Sequence, residues 1–454
     1  VKYAVVILAA GQGKRMCSHV PKLLHTLADK PLLHHVLTTA QTLTPDKICV
    51  VHGHGSAQVK AACDNWDITW VEQSEQLGTG HAVLQAMPEI DDDHTVIVLC
   101  GDVPLVQAET LQQLLTQVAS DKLGIITVNL TDPTGYGRIV RDNTNQVTAI
   151  VEQKDASTEI AAINEINTGI IAAPAKKLRH WLAQLTNDNA QKEYYLTDIV
   201  TQAVQDNTAI VTCQPEHRHQ VMGVNDRVQL AKLERVYQQH QVEKLMLQGV
   251  TVRDPARVDI RGDVNAGIDI EIDINVIFEG TVTLGDGVKI GANCIIKDAH
   301  IAANTEILSH CVLDRVEVGK NCHIGPFARL RPDAVLAEQV RVGNFVEVKK
   351  SQISKGSKIN HLSYIGDCEM GENVNIGAGT ITCNYDGVNK YKTIIGDGAF
   401  IGSDTQLVAP VVVGAGSTIG AGSTVVIDTP ADALTLSRSK QHTVYRWRSP
   451  KPKK

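Results

Sequence analysis

Residues 353–376 read Ile353-Ser-Lys-Gly-Ser-Lys-Ile359-Asn-His-Leu-Ser-Tyr-Ile365-Gly-Asp-Cys-Glu-Met370-Gly-Glu-Asn-Val-Asn-Ile376. A large apolar residue returns every six positions, and once after five. Neither the 3.6-residue period of a helix nor the two-residue alternation of a half-buried strand produces that spacing. A six-residue repeat marks a parallel β-helix, in which each coil stacks on the one before. Working outward, the same period runs back through Val348, Val342, Leu336, Leu330 and Ile324 to Ile260, with Ala266 filling one position. It resumes at Ile395 and continues to Val425, after an irregular stretch over 382–394.

The slips in the period carry the geometry. Four steps are five residues long: 296 to 301, 313 to 318, 348 to 353 and 365 to 370. Counted from Ile296, all four fall on multiples of three steps. Three hexads therefore make one coil, and one corner of a triangular prism tolerates a deletion. On this count Arg331 and Lys349 occupy equivalent places one coil apart, and His361 falls between Asn344 and Ala378. Carried across the irregular stretch, the count puts Asn384, Ser403 and Ala421 in one column.

The rest of the chain is a different object. Of 35 glycines, thirteen lie in residues 1–250 and 22 in the shorter remainder. Residues 227–250 read as one long helix stopped by Gly249, a linker between a first domain at 1–226 and a second at 251–454. Lys plus Arg is 43 against 50 for Asp plus Glu, a net charge of −7, which excludes a generally basic nucleic-acid binder. No apolar run reaches the roughly 18 residues of a membrane span. Val5-Val-Ile-Leu-Ala-Ala10 lacks a cleavage-site pattern and reads as a buried strand rather than a leader. Ten cysteines show no metal or disulfide-scaffold spacing, which points to a reducing, cytoplasmic setting.

In residues 1–226, short β-branched runs at Tyr3–Ala9, Lys47–Val51, Thr95–Cys100 and Gly124–Leu130 alternate with helical stretches. That alternation predicts a doubly wound, Rossmann-like α/β domain with a mainly parallel sheet, whose ligand binds beyond the carboxyl ends of the strands. Two motifs sit there. Leu8-Ala-Ala-Gly-Gln-Gly-Lys-Arg-Met16 offers a glycine turn with Lys14 and Arg15, and Lys22 follows. Three cations beside a phosphate-sized nest suit a triphosphate, while a plain strand-to-helix turn with solvated cations gives the same letters. In Leu99-Cys-Gly-Asp-Val-Pro104, Asp102 stands where it could hold Mg²⁺ or simply form a turn.

Further turns follow in order: Glu75-Gln-Leu-Gly-Thr-Gly80, Thr134-Gly-Tyr-Gly-Arg138, Val151-Glu-Gln-Lys154 and Glu165-Ile-Asn-Thr-Gly169. The series resembles the sugar-phosphate nucleotidylyltransferases, in particular the bifunctional ones that acetylate glucosamine-1-phosphate and then uridylylate the product. The resemblance covers nearly the whole chain. It implies a nucleotidylyltransferase domain, a linker helix and the left-handed parallel β-helix of hexapeptide acyltransferases, an exception to the right-handed crossover rule.

The resemblance also implies residue roles. Leu8, Ala9 and Gly11 would line the nucleotide site, Arg15 and Lys22 would face the triphosphate, and Gln73, Gly78 and Thr79 would meet the uracil. Gly137, Glu152 and Asn167 would hold the sugar phosphate, while Asp102 and Asn225 would bind Mg²⁺. The co-substrates would be UTP and acetyl-CoA. In the β-helix His361 would be the general base, Arg331 and Lys349 would hold a phosphate, and Tyr364 and Asn375 the sugar. Ala378, Asn384, Tyr385, Ser403 and Ala421 would lie along substrate and acetyl-CoA, with Arg438 reaching the cofactor from the tail. Glu347 is a candidate to orient His361.

By itself, a lone histidine in a repeat is usually surface; but stacked cations repel, and a phosphate ligand gives them a purpose. Three positions depart from the family pattern: Cys100 stands where an aromatic residue is expected, Met222 replaces an acidic one, and Gln12 replaces a lysine. The implied assembly is a homotrimer with acetyltransferase sites between subunits, and the basic tail Arg446–Lys454 reads as a flexible end. Two other readings stay open at this point. One is a single-activity nucleotidylyltransferase with a structural or regulatory β-helix, and the other is a scaffold with dead sites.

Overall fold

The apolar runs of the first half form one nine-stranded sheet. Its strands are β1 (Lys2–Ala9), β2 (Lys47–His52), β3 (Thr69–Glu72), β4 (His94–Cys100), β5 (Leu123–Asn129), β6 (Arg138–Arg141), β7 (Val147–Val151), β8 (Glu165–Pro174) and β9 (Ile210–Cys213). The order is β9-β5-β8-β4-β1-β2-β3, with β6 and β7 as a hairpin off β8. β1 pairs in parallel with both β2 and β4, while β8 runs antiparallel between β4 and β5. The strand–helix alternation thus yields a mainly parallel sheet in which β8 and the hairpin strand β7 are reversed.

Each central strand is buried on both faces, as a sheet wrapped by helices requires. Val5, Ile7, Val50, Ile97 and Leu99 pack against Leu33, Val36 and Leu37 of helix Leu32–Thr42 and Leu111 and Leu114 of helix Ala108–Val118. The alternate residues Ala4, Val6, Val51, Val96 and Val98 face Val83 of helix Thr79–Ala86 and Leu178 and Trp181 of helix Ala175–Leu182. Period-two alternation therefore feeds two helical layers at once.

The computed structural model describes residues 2–11, 13–53, 56–118 and 121–448; Gln12 and the last six residues of the tail lie outside them. The chain divides into two compact units, Val1–Tyr237 and Gln238–Lys454. The division falls inside the helix Arg227–Leu247, which starts where the Asp226 carboxylate accepts from Gln229 N at 2.8 Å, an N-cap.

In the second unit Gln238 is buried and pairs with Ile260 both ways, Nε2 donating to its carbonyl at 2.9 Å and Oε1 accepting from its amide at 2.6 Å. A side-chain amide thus satisfies backbone at the first coil, where a stack would otherwise present a bare edge. Above it, Ile260, Phe278, Ile296, Leu313, Leu330, Val348 and Ile365 stack in register, one per coil. All are at most 3% exposed, and burial of each is worth about 1.5–3 kcal/mol. Register partners are 18 residues apart, or 17 where the period slips, so three hexads do make one coil. At the shortened corner Asp298, Arg315, Lys350 and Asp367 take φ of 44–51°, a single left-handed residue turning the chain. This is the parallel β-helix that the hexad reading predicts.

The irregular stretch is an insertion between Thr382 and Ile395. Thr382 occupies the core position in place of an aliphatic residue; its hydroxyl accepts from Gly366 N at 2.8 Å and donates to Gly366 O at 3.0 Å. The extra residues change one column expected from the count. Ile376 pairs with Ile401 and Ile401 with Ile419, so Ser403 and Ala421 continue the column of His361 and Ala378. Asn384 follows Thr382 and lies on the next face, with Cys383 paired to Val408.

Candidate active sites

At the carboxyl ends of β1 and β4, Gly101 N donates to Leu8 O at 3.0 Å and draws the two post-strand loops together. A cavity of about 300 Å³ opens there, lined by Leu8, Ala9, Gly11, Gln73, Thr79 and Asp102 among others. Lys22 reaches into it from a one-turn helix. Its ammonium ion-pairs with the Asp102 carboxylate and donates to Asn225 Oδ1 at 3.0 Å. The chain carrying Asn225 is pinned beside Asp102, because Val224 N donates to Asp102 O at 2.9 Å. Two oxygen donors of different charge thus converge on one cationic point, a donor set that suits a hard divalent ion such as Mg²⁺. Another grouping of possible ligands, Asp91, Asp93 and His94, lies at the opposite end of β4, remote from this cavity.

The cavity's second wall depends on a turn that only glycine accommodates. Gly78 has φ +115°, and a Cβ there would lie 2.6 Å from Tyr194 O. The closeness serves a clamp: Tyr194 N donates to Leu77 O at 2.7 Å, and Gly80 N to Tyr194 O at 2.8 Å. Gln73, 3% exposed, donates to Gly78 O at 3.0 Å, and the Thr79 hydroxyl accepts from Leu196 N at 3.1 Å. Next along, Glu152 accepts from the Thr197 hydroxyl at 3.1 Å, and burial raises its carboxyl above the usual range. Asn167 N donates to Gly137 O at 2.9 Å, while Asn167 Oδ1 accepts from Gly169 N at 3.1 Å. Gly137, Glu152 and Asn167 are therefore neighbours but do not line the cavity. Arg15 does not line it either; it is exposed on the turn Lys14–Met16.

Of the departures, Cys100 lines the cavity with its thiol pushed up to about 12 by burial, a neutral apolar wall rather than a nucleophile. Met222 Sδ accepts a weak bond from the Tyr136 hydroxyl at 3.9 Å. Gln76 and Glu193 also line the cavity without having been singled out from sequence. Gln76 closes on the glycine loop through a bond to Ala10 O at 2.5 Å and sits inside a quoted turn motif, which was the available signal. Glu193 lies in an unpatterned stretch that offers none.

On the β-helix, Arg331 and Lys349 stack as counted, Arg331 N donating to Val348 O at 2.8 Å. Each has a carboxylate beside it. Arg331 pairs with Glu347 at 2.8 Å, and Lys349 and Lys350 both approach Asp367 at 3.9 Å. Asp367, buried, also accepts from Asn384 Nδ2 at 2.5 Å, which ties Asn384 to this face. His361 is exposed, and Asn344 Oδ1 lies 3.1 Å from its Nδ1. Glu347 does not orient His361: the register sets it against Tyr364, around the corner from the imidazole. The Tyr364 hydroxyl packs over Gly366, Asn375 is half-buried, and the Tyr385 hydroxyl donates to Gly387 O at 2.5 Å. Arg438 folds back so that Nη1 donates to Ala421 O at 2.7 Å.

Known proteins match both units. A MobA-like NTP transferase domain matches residues 5–149, a GMPPB C-terminal domain 260–364, and a bacterial transferase hexapeptide (six repeats) 392–426. Bifunctional protein GlmU of Janthinobacterium sp. (strain Marseille) is 56% identical over 446 residues, covering 98% of each chain. The chain belongs to the GlmU family. GlmU of Nitrosospira multiformis is 56% identical over 455 residues, covering 100% of this chain and 99% of its own, and that of Idiomarina loihiensis 54% over 454, covering all of both. Within the GlmU family this chain is a bifunctional enzyme, a uridylyltransferase and an acetyltransferase, with the left-handed β-helix of hexapeptide transferases. That sets aside the single-activity and scaffold readings. Among the described residues, no helix is long and apolar enough to cross a membrane.

Proposed function

We propose that residues 251–454 acetylate glucosamine-1-phosphate with acetyl-CoA, that residues 1–226 transfer UMP from UTP to the resulting N-acetylglucosamine-1-phosphate, and that 227–250 link the two. The product, UDP-N-acetylglucosamine, would serve as a precursor of peptidoglycan and lipopolysaccharide. The observation that carries the reading is that each unit holds its own reactive constellation: Lys22, Asp102 and Asn225 around a cavity in one, and His361 beside stacked Arg331 and Lys349 in the other.

In the first site the sugar-phosphate oxygen attacks the α-phosphorus of UTP and pyrophosphate leaves, with no covalent enzyme intermediate. Catalysis then consists of alignment and charge neutralisation. Asp102 and Asn225 would hold Mg²⁺, which supplies positive charge against the phosphates. Lys22, lying between those two oxygens, is within reach of the same phosphates; Arg15 is free to approach from its exposed turn. Gln73, Gly78 and Thr79 form a rigid wall for the base, and Gly137, Glu152 and Asn167 a polar one for the sugar.

In the second site the glucosamine nitrogen attacks the thioester carbonyl, His361 Nε2 accepts its proton, and CoA leaves as the thiol. Arg331 and Lys349 hold the phosphate, with Glu347 and Asp367 balancing their charge. Tyr364 and Asn375 contact the sugar. Ala378, Asn384, Tyr385, Ser403 and Ala421 contact substrate and acetyl-CoA, with Arg438 at the cofactor.

We also propose a cytoplasmic homotrimer that binds neither nucleic acid nor membrane. Phe327, Phe345 and Leu362, 47–61% exposed, run down one corner beside His361, and Phe327 stacks on His310 at 4.7 Å and on Phe345 at 5.4 Å. Such an apolar ladder fits burial against a second copy of the chain.

The test offers each half-reaction alone: glucosamine-1-phosphate with acetyl-CoA, and N-acetylglucosamine-1-phosphate with UTP and Mg²⁺. Both should turn over independently. Turnover of one only would contradict the two-site assignment.

A further inference from the structure

A general base on a flexible surface ring is a poor one unless something fixes which nitrogen carries the lone pair. His361 has a partner for this. Asn344, one coil below in direct register, presents Oδ1 at 3.1 Å from Nδ1. An amide oxygen can only accept, so Nδ1 must carry the hydrogen, and the neutral ring's lone pair is left at Nε2.

The coils are pressed together at this point. Leu362 N donates to Asn344 O at 3.1 Å, and Gly343 lies so close to Asn360 that a Cβ would sit 1.9 Å from its carbonyl oxygen. The main chain below the ring is held as well, by the Ser363 hydroxyl donating to His361 O at 2.8 Å. Among the described residues, no carboxylate is paired with His361 Nδ1, whose partner is Asn344. Asn344 lies below and Ala378 above, the charged groups on the paired strands are Arg341 and Lys358, and Glu347 is engaged by Arg331.

We propose that Asn344 is a positioning residue for acetyl transfer, selecting the Nδ1–H tautomer of His361 and aiming Nε2 at the substrate amine. The inference rests on His361 being the base. It assigns to Asn344 the part for which Glu347 was the candidate at the level of sequence.

The test compares Asn344→Ala, Asn344→Asp and His361→Ala in the full-length enzyme, measuring kcat and KM for acetyl transfer across pH, with uridylyl transfer as the folding control. Asn344→Ala should lower kcat about tenfold or more, with KM for acetyl-CoA little changed. Asn344→Asp keeps an acceptor at Nδ1 and should recover most of the rate at high pH. Its carboxylate favours the imidazolium, so the acidic limb of the kcat profile should move up by about one pH unit. Equal losses in both variants with the limb unmoved would show a packing role and overturn the proposal, as would a wild-type kcat in Asn344→Ala. If His361→Ala keeps its acetyl transfer, the assignment of the base itself is wrong, an outcome separable from either of these.

Discussion

Replacing Gly343 by alanine tests whether the close approach of two coils matters for chemistry. The added Cβ would begin 1.9 Å from Asn360 O, 2.6 Å from its carbonyl carbon and 2.8 Å from its Cα, all backbone atoms that cannot rotate away. A carbon and a carbonyl oxygen settle no closer than about 3.3 Å, so the coils must part locally by about 1.4 Å. Coil spacing in such a stack is about 4.8 Å, and the aliphatic core holds the coils on the inner side. The strain is therefore relieved at the outer corner, where Asn344 meets His361. Overpacking of this kind costs about 1–3 kcal/mol of stability. A displacement of about 1 Å in a catalytic group costs about 100-fold in rate. Gly343→Ala should accordingly lose about 100-fold in kcat for acetyl transfer, measured by release of the CoA thiol, while uridylyl transfer, measured by pyrophosphate release, stays within twofold. Acetyl transfer within a few-fold of wild type would refute the reasoning, as would a matching fall in uridylyl transfer.

Other perturbations address other parts of the account. Asp102→Ala should remove Mn²⁺ binding, followed by titration of the paramagnetic signal, and lower uridylyl transfer by about a thousandfold; acetyl transfer is the unaffected control. Burial raises the Glu152 carboxyl, so its ionisation opposes folding above the ordinary carboxylate pKa of about 4.3. Glu152→Gln, which still accepts from Thr197, should therefore melt above wild type at neutral pH, and the advantage should vanish as pH falls through the raised value toward that of the unfolded chain; an advantage that persists in acid would contradict the burial argument. Ile359→Ala empties a fully buried core position and should cost about 2–5 kcal/mol in denaturant unfolding of the second unit.

Much of the fold was legible because a buried face imposes its period on the letters. The five-residue steps located one corner of the prism, and the structure places a single left-handed residue at each of them. The same count placed Lys349 over Arg331 and His361 over Asn344, since register in a stacked coil is a matter of arithmetic. It failed at Asn384, because an insertion hides which face the chain has reached when the period resumes. Glu347 was misassigned for a related reason: residues three apart along a coil can lie on opposite sides of a corner. In the first unit Asp102 was readable as a residue just past a buried strand and Thr79 as part of a glycine turn, whereas Leu8 and Gln73 were marked only by the family resemblance. Glu193 was not, since the loop carrying it is placed by the clamp at Tyr194 rather than by any local pattern.

The central claim is that one chain carries two independent sites that act in sequence. The most direct measurement mixes separately purified His361→Ala and Asp102→Ala enzymes with glucosamine-1-phosphate, acetyl-CoA, UTP and Mg²⁺, and follows UDP-N-acetylglucosamine. Each variant alone should yield none, and the mixture should yield it steadily, the intermediate passing from the Asp102→Ala enzyme to the other. A mixture as inactive as its components, or a single variant that loses both half-reactions, would contradict the account.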